Sequence, residues 1–162
     1  MRVYLIRHAK AERDSPTGRD DDRPLKPRGI RQATWLGEAI AKLKKKPGVL
    51  ITSPVVRALD TARILGKTLN LGLEVDDALS TKHGVNELLN LLFKRAAEHA
   101  PRAVALVAHN PTLEIAASAL LGATSAPIVL RTGEALIIDI EDPAKLGSGT
   151  LHKRLRSDDE DD

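Results

Sequence analysis

Short apolar runs alternate with stretches of helical periodicity along most of this chain. Residues 2–6 (RVYLI), 49–52 (VLIT), 103–108 (AVALVA) and 135–140 (ALIIDI) are four to six residues long and rich in Val, Ile and Leu, which marks buried strands. Residues 73–76 (LEVD) read as a further strand and 150–156 as a last, edge strand. From Arg28 onward Ile30, Ala33, Leu36, Gly37, Ile40 and Leu43 recur at helical spacing, and Lys44-Lys45-Lys46-Pro47-Gly48 closes that helix. Ser53-Pro54 and Asn110-Pro111 each read as an N-cap followed by proline at the first helical position. They open helices running to about Leu69 and about Leu121. Another helix is expected over 85–99. Residues 9–27 are polar and contain proline, so they read as a loop.

Strands alternating with helices imply βαβ crossovers. The fold class expected is α/β, three-layered, with a mostly parallel sheet flanked by helices on both faces. At 162 residues, with no internal repeat and no linker, the chain suits one domain over residues 1–156. Residues 157–162 hold five acids and read as a solvated tail.

Composition narrows the function. The sequence has no cysteine, which excludes disulfides, thiol catalysis and cysteine-ligated zinc. The few aromatics, Tyr4, Trp35 and Phe93, argue against a stacking platform for single-stranded nucleic acid. No apolar run reaches the roughly 18 residues of a membrane span, and residues 2–6 lead straight into structure without a long apolar leader. A cytoplasmic setting is expected. Net charge is +3, and setting aside the five acids of the tail raises it to +8. A basic body suits anionic ligands.

The chemistry lies just after the strands. Arg7-His8 follow the first, Ser53-Pro54 and then Arg57 follow the second, and His109-Asn110-Pro111 follow 103–108. In a parallel sheet these positions share one edge, where ligands bind. Two expected helix N-termini bring unpaired N–H groups there. Arg57 lies four residues past Ser53, and helical side chains lean toward the N-terminus, so it reaches the same place. Arg7 and Arg57 offer forked donors that match phosphate oxygens. The set suits a dianionic phosphoryl group with no metal or other cofactor. A neutral imidazole at His8 is a nucleophile toward phosphorus. The nearby arginines are expected to keep it neutral, and His109 is expected to donate to a phosphoryl oxygen. Taken singly, each feature has an ordinary structural use: a histidine caps a strand, an arginine solvates a helix, SP and NP start helices. Their convergence on one sheet edge is what points to a site. His83, His99 and His152 have no such context and read as surface residues; Trp35 reads as half-buried.

Arg7-His8-Ala9 resembles the "RHG" signature of the histidine phosphatase superfamily. SPVVRALDTA (53–62) and VAHNP (107–111) are similar to its second and third motifs, across about residues 1–120. Within it, RHAKAE (7–12) and DRPLKPRG (22–29) resemble the SixA-type phosphohistidine phosphatases. The resemblance implies the phosphoglycerate mutase-like fold and a transiently phosphorylated His8. It implies that Arg7, Arg57 and His109 hold the phosphoryl group, with the backbone N–H of Asn110 as a further donor. Ala9 and Ala108 stand where many members have Gly. Metabolite-directed relatives carry an acidic residue on a long insertion. Here residues 77–102 offer no matching motif; Glu87 is nearest but reads equally as an exposed helix residue. A short insert leaves the pocket open to a phosphoprotein, and a phosphoramidate leaves on a nitrogen that is readily protonated.

The expected activity is hydrolysis of phosphohistidine on a signalling, histidine-phosphotransfer protein. The alternatives are a phosphatase of a small phosphorylated metabolite, nucleotide or polyphosphate, and a non-catalytic phosphoprotein-binding module. Nucleic-acid binding through the basic face ranks last, and no membrane partner is expected.

Overall fold

The computed structural model describes residues 1–98, 103–122, 127–141 and 145–158. Six strands form one sheet: β1 (Arg2–Arg7), β2 (Val49–Thr52), β3 (Leu73–Val75), β4 (Ala103–Ala108), β5 (Ala135–Asp139) and β6 (Thr150–Leu155). Four helices connect them: α1 (Pro27–Ala41), α2 (Val56–Leu69), α3 (Val85–Ala97) and α4 (Thr112–Leu121). The strand order is β3-β2-β4-β1-β5-β6. The first four strands in that order are parallel; β5 runs antiparallel to β1, and β6 antiparallel to β5.

Alternation along the central strands builds two cores. Val3, Leu5, Val104 and Leu106 face α3 and α4, meeting Leu88, Leu92, Leu113 and Leu120. Tyr4, Ile6, Ala105 and Val107 point the other way, to Leu36 and Ile40 of α1 and Leu65 of α2. Period-two strands buried on both faces need a helical layer on each side. This is the three-layer α/β architecture expected.

The helix starts differ from expectation. α2 begins at Val56, with Val55 as its N-cap, rather than at Ser53-Pro54. α4 begins at Thr112 after Pro111, not at Asn110, and the Asn110–Pro111 peptide is cis. In both places the polar cap candidate turns toward the sheet edge. Ile30, assigned to the apolar face of α1, is 48% exposed; Gly29 and Gln32 take the inner positions of that turn. His83 and His152 are exposed, Trp35 is 38% exposed, and His99 lies outside the described residues. Ser157 is buried and Asp158 exposed.

Candidate active site

Register fixes the site. Arg7 pairs with Ala108 across β1 and β4, and Thr52 pairs with Val107 across β2 and β4. The residues that follow are therefore neighbours. His8 N donates to the Ala108 carbonyl at 3.2 Å and Ser53 N to the Val107 carbonyl at 3.0 Å. The His8 and His109 rings lie 5.3 Å apart, centroid to centroid, tilted by 52°. Both are buried, as is Arg57.

Each ring has a defined orientation. His8 Nδ1 lies 2.8 Å from the Ala9 carbonyl, which can only accept. In the neutral ring the proton therefore sits on Nδ1 and the lone pair on Nε2. Burial lowers the His8 pKa to about 3; the Ala9 carbonyl opposes the shift, while His109, Arg57 and Arg7 add to it. The arginines do disfavour the imidazolium, as expected, but loss of solvation is the larger cause. His109 Nε2 lies 2.8 Å from Ser53 Oγ, which accepts the Val55 N–H. The other ring nitrogen, Nδ1, is a buried atom with no hydrogen-bond partner among the described residues. The His109 pKa falls to about 4, first through burial and then through Arg57.

Arg57 comes in from the first turn of α2. Thr61, one turn on, donates to the Arg57 carbonyl at 2.8 Å and accepts the Ala9 N–H at 3.0 Å, tying α2 to the His8 loop. The guanidinium bonds Asp20, Nη1 to its carbonyl at 2.9 Å and Nη2 to Oδ2 at 3.1 Å. Burial alone would raise the Asp20 carboxyl; Arg57 and Arg23 outweigh it and hold it below the usual range. Arg7 Nη1 donates to the Leu130 carbonyl at 3.2 Å, and Asn110 Nδ2 donates to the same carbonyl at 2.7 Å. Gly133, at a positive φ of 70°, presents its N–H to the carbonyls of Arg7 and His8.

The structure thus brings Arg7, His8, Arg57, His109 and Asn110 to one sheet edge. Ser53, the expected helix cap, accepts the Val55 N–H and is also the partner of His109, while Val55 takes the N-cap position of α2. Asp20 went unsegregated within the 9–27 loop, where the acidic run Asp20–Asp22 among basic residues is its one sequence signal. Glu87 accepts the Gly84 N–H at 3.0 Å and caps α3. Among the described residues no group of three His, Cys, Asp or Glu could hold a metal ion, and no helix is long and apolar enough to cross a membrane. Two neutral imidazoles beside two guanidiniums can bind a phosphoryl group and attack it.

The sequence model of the histidine phosphatase superfamily, branch 1, matches residues 3–90, more than half of the chain, and the chain belongs to that superfamily. A curated relative, the mitochondrial serine/threonine-protein phosphatase PGAM5 of Xenopus laevis, is 37% identical over 67 residues, 41% of this chain and 24% of its own length. The chain spans about a quarter of the length of the curated relatives it matches. Among solved structures, the protein histidine phosphatase SixA complexed with tungstate superposes with a TM-score of 0.84 at 23% identity, covering 96% of this chain and 97% of that one. A chain from Agrobacterium tumefaciens assigned to the phosphohistidine phosphatases SixA gives 0.77 at 26% identity, covering 95% and 96%.

Proposed function

We propose that this member of the histidine phosphatase superfamily is a metal-independent phosphatase that passes the phosphoryl group through His8, and that its substrate is phosphohistidine on a protein. One observation carries the reading: the His8 ring is held by the Ala9 carbonyl so that a neutral Nε2 lone pair stands beside His109. In the first step Nε2 attacks phosphorus in line. The bond to the leaving group breaks, and a leaving imidazole nitrogen takes its proton from solvent. In the second step water attacks phosphorus, the P–Nε2 bond breaks, and orthophosphate leaves. Arg7, Arg57 and the Nδ1–H of His109 bind the phosphoryl oxygens and stabilise the charge spread over them in the transition state, with the Asn110 N–H as a further donor. An arginine in this role is worth ~10³–10⁵ in rate. Asp20 neutralises Arg57 until the phosphoryl group takes its place on the guanidinium.

The protein substrate is favoured because Glu87 is committed to capping α3, and a nitrogen leaving group has least need of an enzyme acid. The likeness to structures named for SixA supports the same choice. The test is incubation with a phosphohistidine protein, followed by acid and base treatment of the labelled enzyme. Acid-labile, base-stable label is expected on the wild type and none on His8→Ala. Label on His8→Ala, or turnover of sugar phosphates and nucleotides in preference to the phosphohistidine protein, overturns the mechanism or the substrate respectively. A phosphoprotein-binding module would bind and turn over nothing.

A further inference from the structure

The floor of the phosphoryl site holds the nucleophile, and its mouth holds a carboxylate. His8 is buried, with its ring fixed by the Ala9 carbonyl. The Asp20 side chain is 63% exposed, yet it reaches the buried Arg57. Three contacts hold the residue there. Its carbonyl accepts from Arg57 Nη1 at 2.9 Å, its Oδ2 from Arg57 Nη2 at 3.1 Å, and its Oδ1 from Arg23 Nε at 2.9 Å. Arg23 is itself anchored, its Nη1 donating to the Glu12 carbonyl at 2.8 Å. Arg57 Nε is buried and has no hydrogen-bond partner among the described residues. Nε and Nη2 therefore form the fork that a phosphoryl group takes. Oδ2 then loses its cation, while the Arg23 bond and the carbonyl bond keep Asp20 in place.

We infer that Asp20 is a catalytic residue of the second step: its carboxylate takes the proton of the water that attacks phosphorylated His8. The inference rests on the function proposed above. In-line attack brings the water from the side opposite the P–Nε2 bond, which is the solvent side because His8 lies at the floor. Asp20 stands on that side, against an arginine that holds the phosphoryl oxygens. The water oxygen bonds to phosphorus, its proton goes to Oδ2, and the P–Nε2 bond breaks with its electron pair returning to Nε2. Orthophosphate leaves, and the exposed carboxyl passes its proton to solvent. Binding of the phosphoryl group turns this base on. Before it binds, burial would raise the carboxyl, but Arg57 and Arg23 outweigh it and keep proton affinity low. Replacing Arg57 by a doubly negative group raises that affinity when a base is needed. Burial and then Arg57 lower the His109 pKa, and the charges of Asp21 and Asp20 oppose them, so both carboxylates are felt across the site. Of the two, Asp20 is the one bonded to Arg57; Asp21 meets Thr81, whose Oγ1 lies 3.4 Å from its Oδ1.

The test is a rapid-quench measurement of acid-labile label on His8, with a phosphohistidine protein as donor. D20N keeps an acceptor for Arg57 and removes the base. It should form the label at the wild-type rate, since the leaving imidazole takes its proton from solvent. It should lose the label about 10²–10⁴-fold more slowly, so that phosphoenzyme accumulates. D20E should recover much of the loss, and D21N should behave as the wild type. A purely structural Asp20 gives a different pattern: loosening Arg57 slows formation and loss together, because that guanidinium serves both steps. Equal slowing of both steps in D20N, or wild-type loss of label in D20N, overturns the inference and leaves the functional reading intact. So does accumulation of phosphoenzyme in D21N instead of D20N. No label on the wild type overturns the functional reading, and the inference with it.

Discussion

Acidification should unfold this protein through its two site histidines, and the size of the effect follows from their burial. In the unfolded chain an imidazole titrates near 6.5. In the fold His8 is lowered to about 3 and His109 to about 4. Between those values the unfolded state binds protons that the native state does not, so stability rises with pH and falls as pH is lowered through 6.5. Integrated from pH 7 to pH 5, each histidine costs about 2 kcal/mol, and the pair about 4 kcal/mol. The figure hardly depends on how far below 5 the folded values lie, because at pH 5 both rings are neutral in the fold. Urea denaturation followed by circular dichroism at pH 7 and pH 5 measures it. His8→Gln, which keeps a neutral polar group, should lose about half of the difference, and His8→Gln/His109→Gln most of it. A double variant whose stability falls as steeply as the wild type's would show that the rings are not held neutral, and would remove the ground for a reactive Nε2.

Two further predictions concern the scaffold of the site. Glu114 accepts the Leu130 N–H at 2.8 Å, and the Leu130 carbonyl in turn bonds Arg7 and Asn110. Glu114→Ala strands a buried N–H, at about 1–3 kcal/mol, and should lower kcat/KM about tenfold by loosening Arg7; Glu114→Gln, which keeps an acceptor, should restore the rate in steady-state kinetics. At Gly29 an added Cβ would stand 2.1 Å from the Lys10 carbonyl oxygen, a backbone atom two residues from His8. Gly29→Ala should lower Tm by several degrees and cut turnover, whereas Gly72→Ala, with nothing within 4 Å, should leave both unchanged in a melting curve and a rate assay.

The elements and their layering were legible because they rest on local pattern. The continuous apolar run of 103–108 needs a core on both faces and the helical spacing from Ala33 to Ile40 needs one on a single face, and each finds it. Helix starts were less legible. Ser and Asn before Pro are good caps in isolation, but Ser53 and Asn110 are drawn to His109 and Leu130, partners 56 and 20 residues away. Ser53 keeps a local bond from the Val55 N–H beside its contact with His109, whereas the Asn110 side chain goes to Leu130 alone among the described residues; neither residue opens its helix. Ile30 was misplaced because Gly29 packs so closely on the Lys10 backbone that the helix turns that residue outward.

The sequence alone determined an α/β sheet with Arg7, His8, Arg57 and His109 at one edge, because residues that follow parallel strands must lie together whatever the loops do. Only the tertiary structure decided which nitrogen of His8 is proton-free, that burial more than the arginines keeps His8 neutral, and that Asp20 closes on Arg57. Those depend on atoms within about 3 Å contributed by segments distant in sequence, and no local pattern in a chain specifies which remote carbonyl or carboxylate will arrive there.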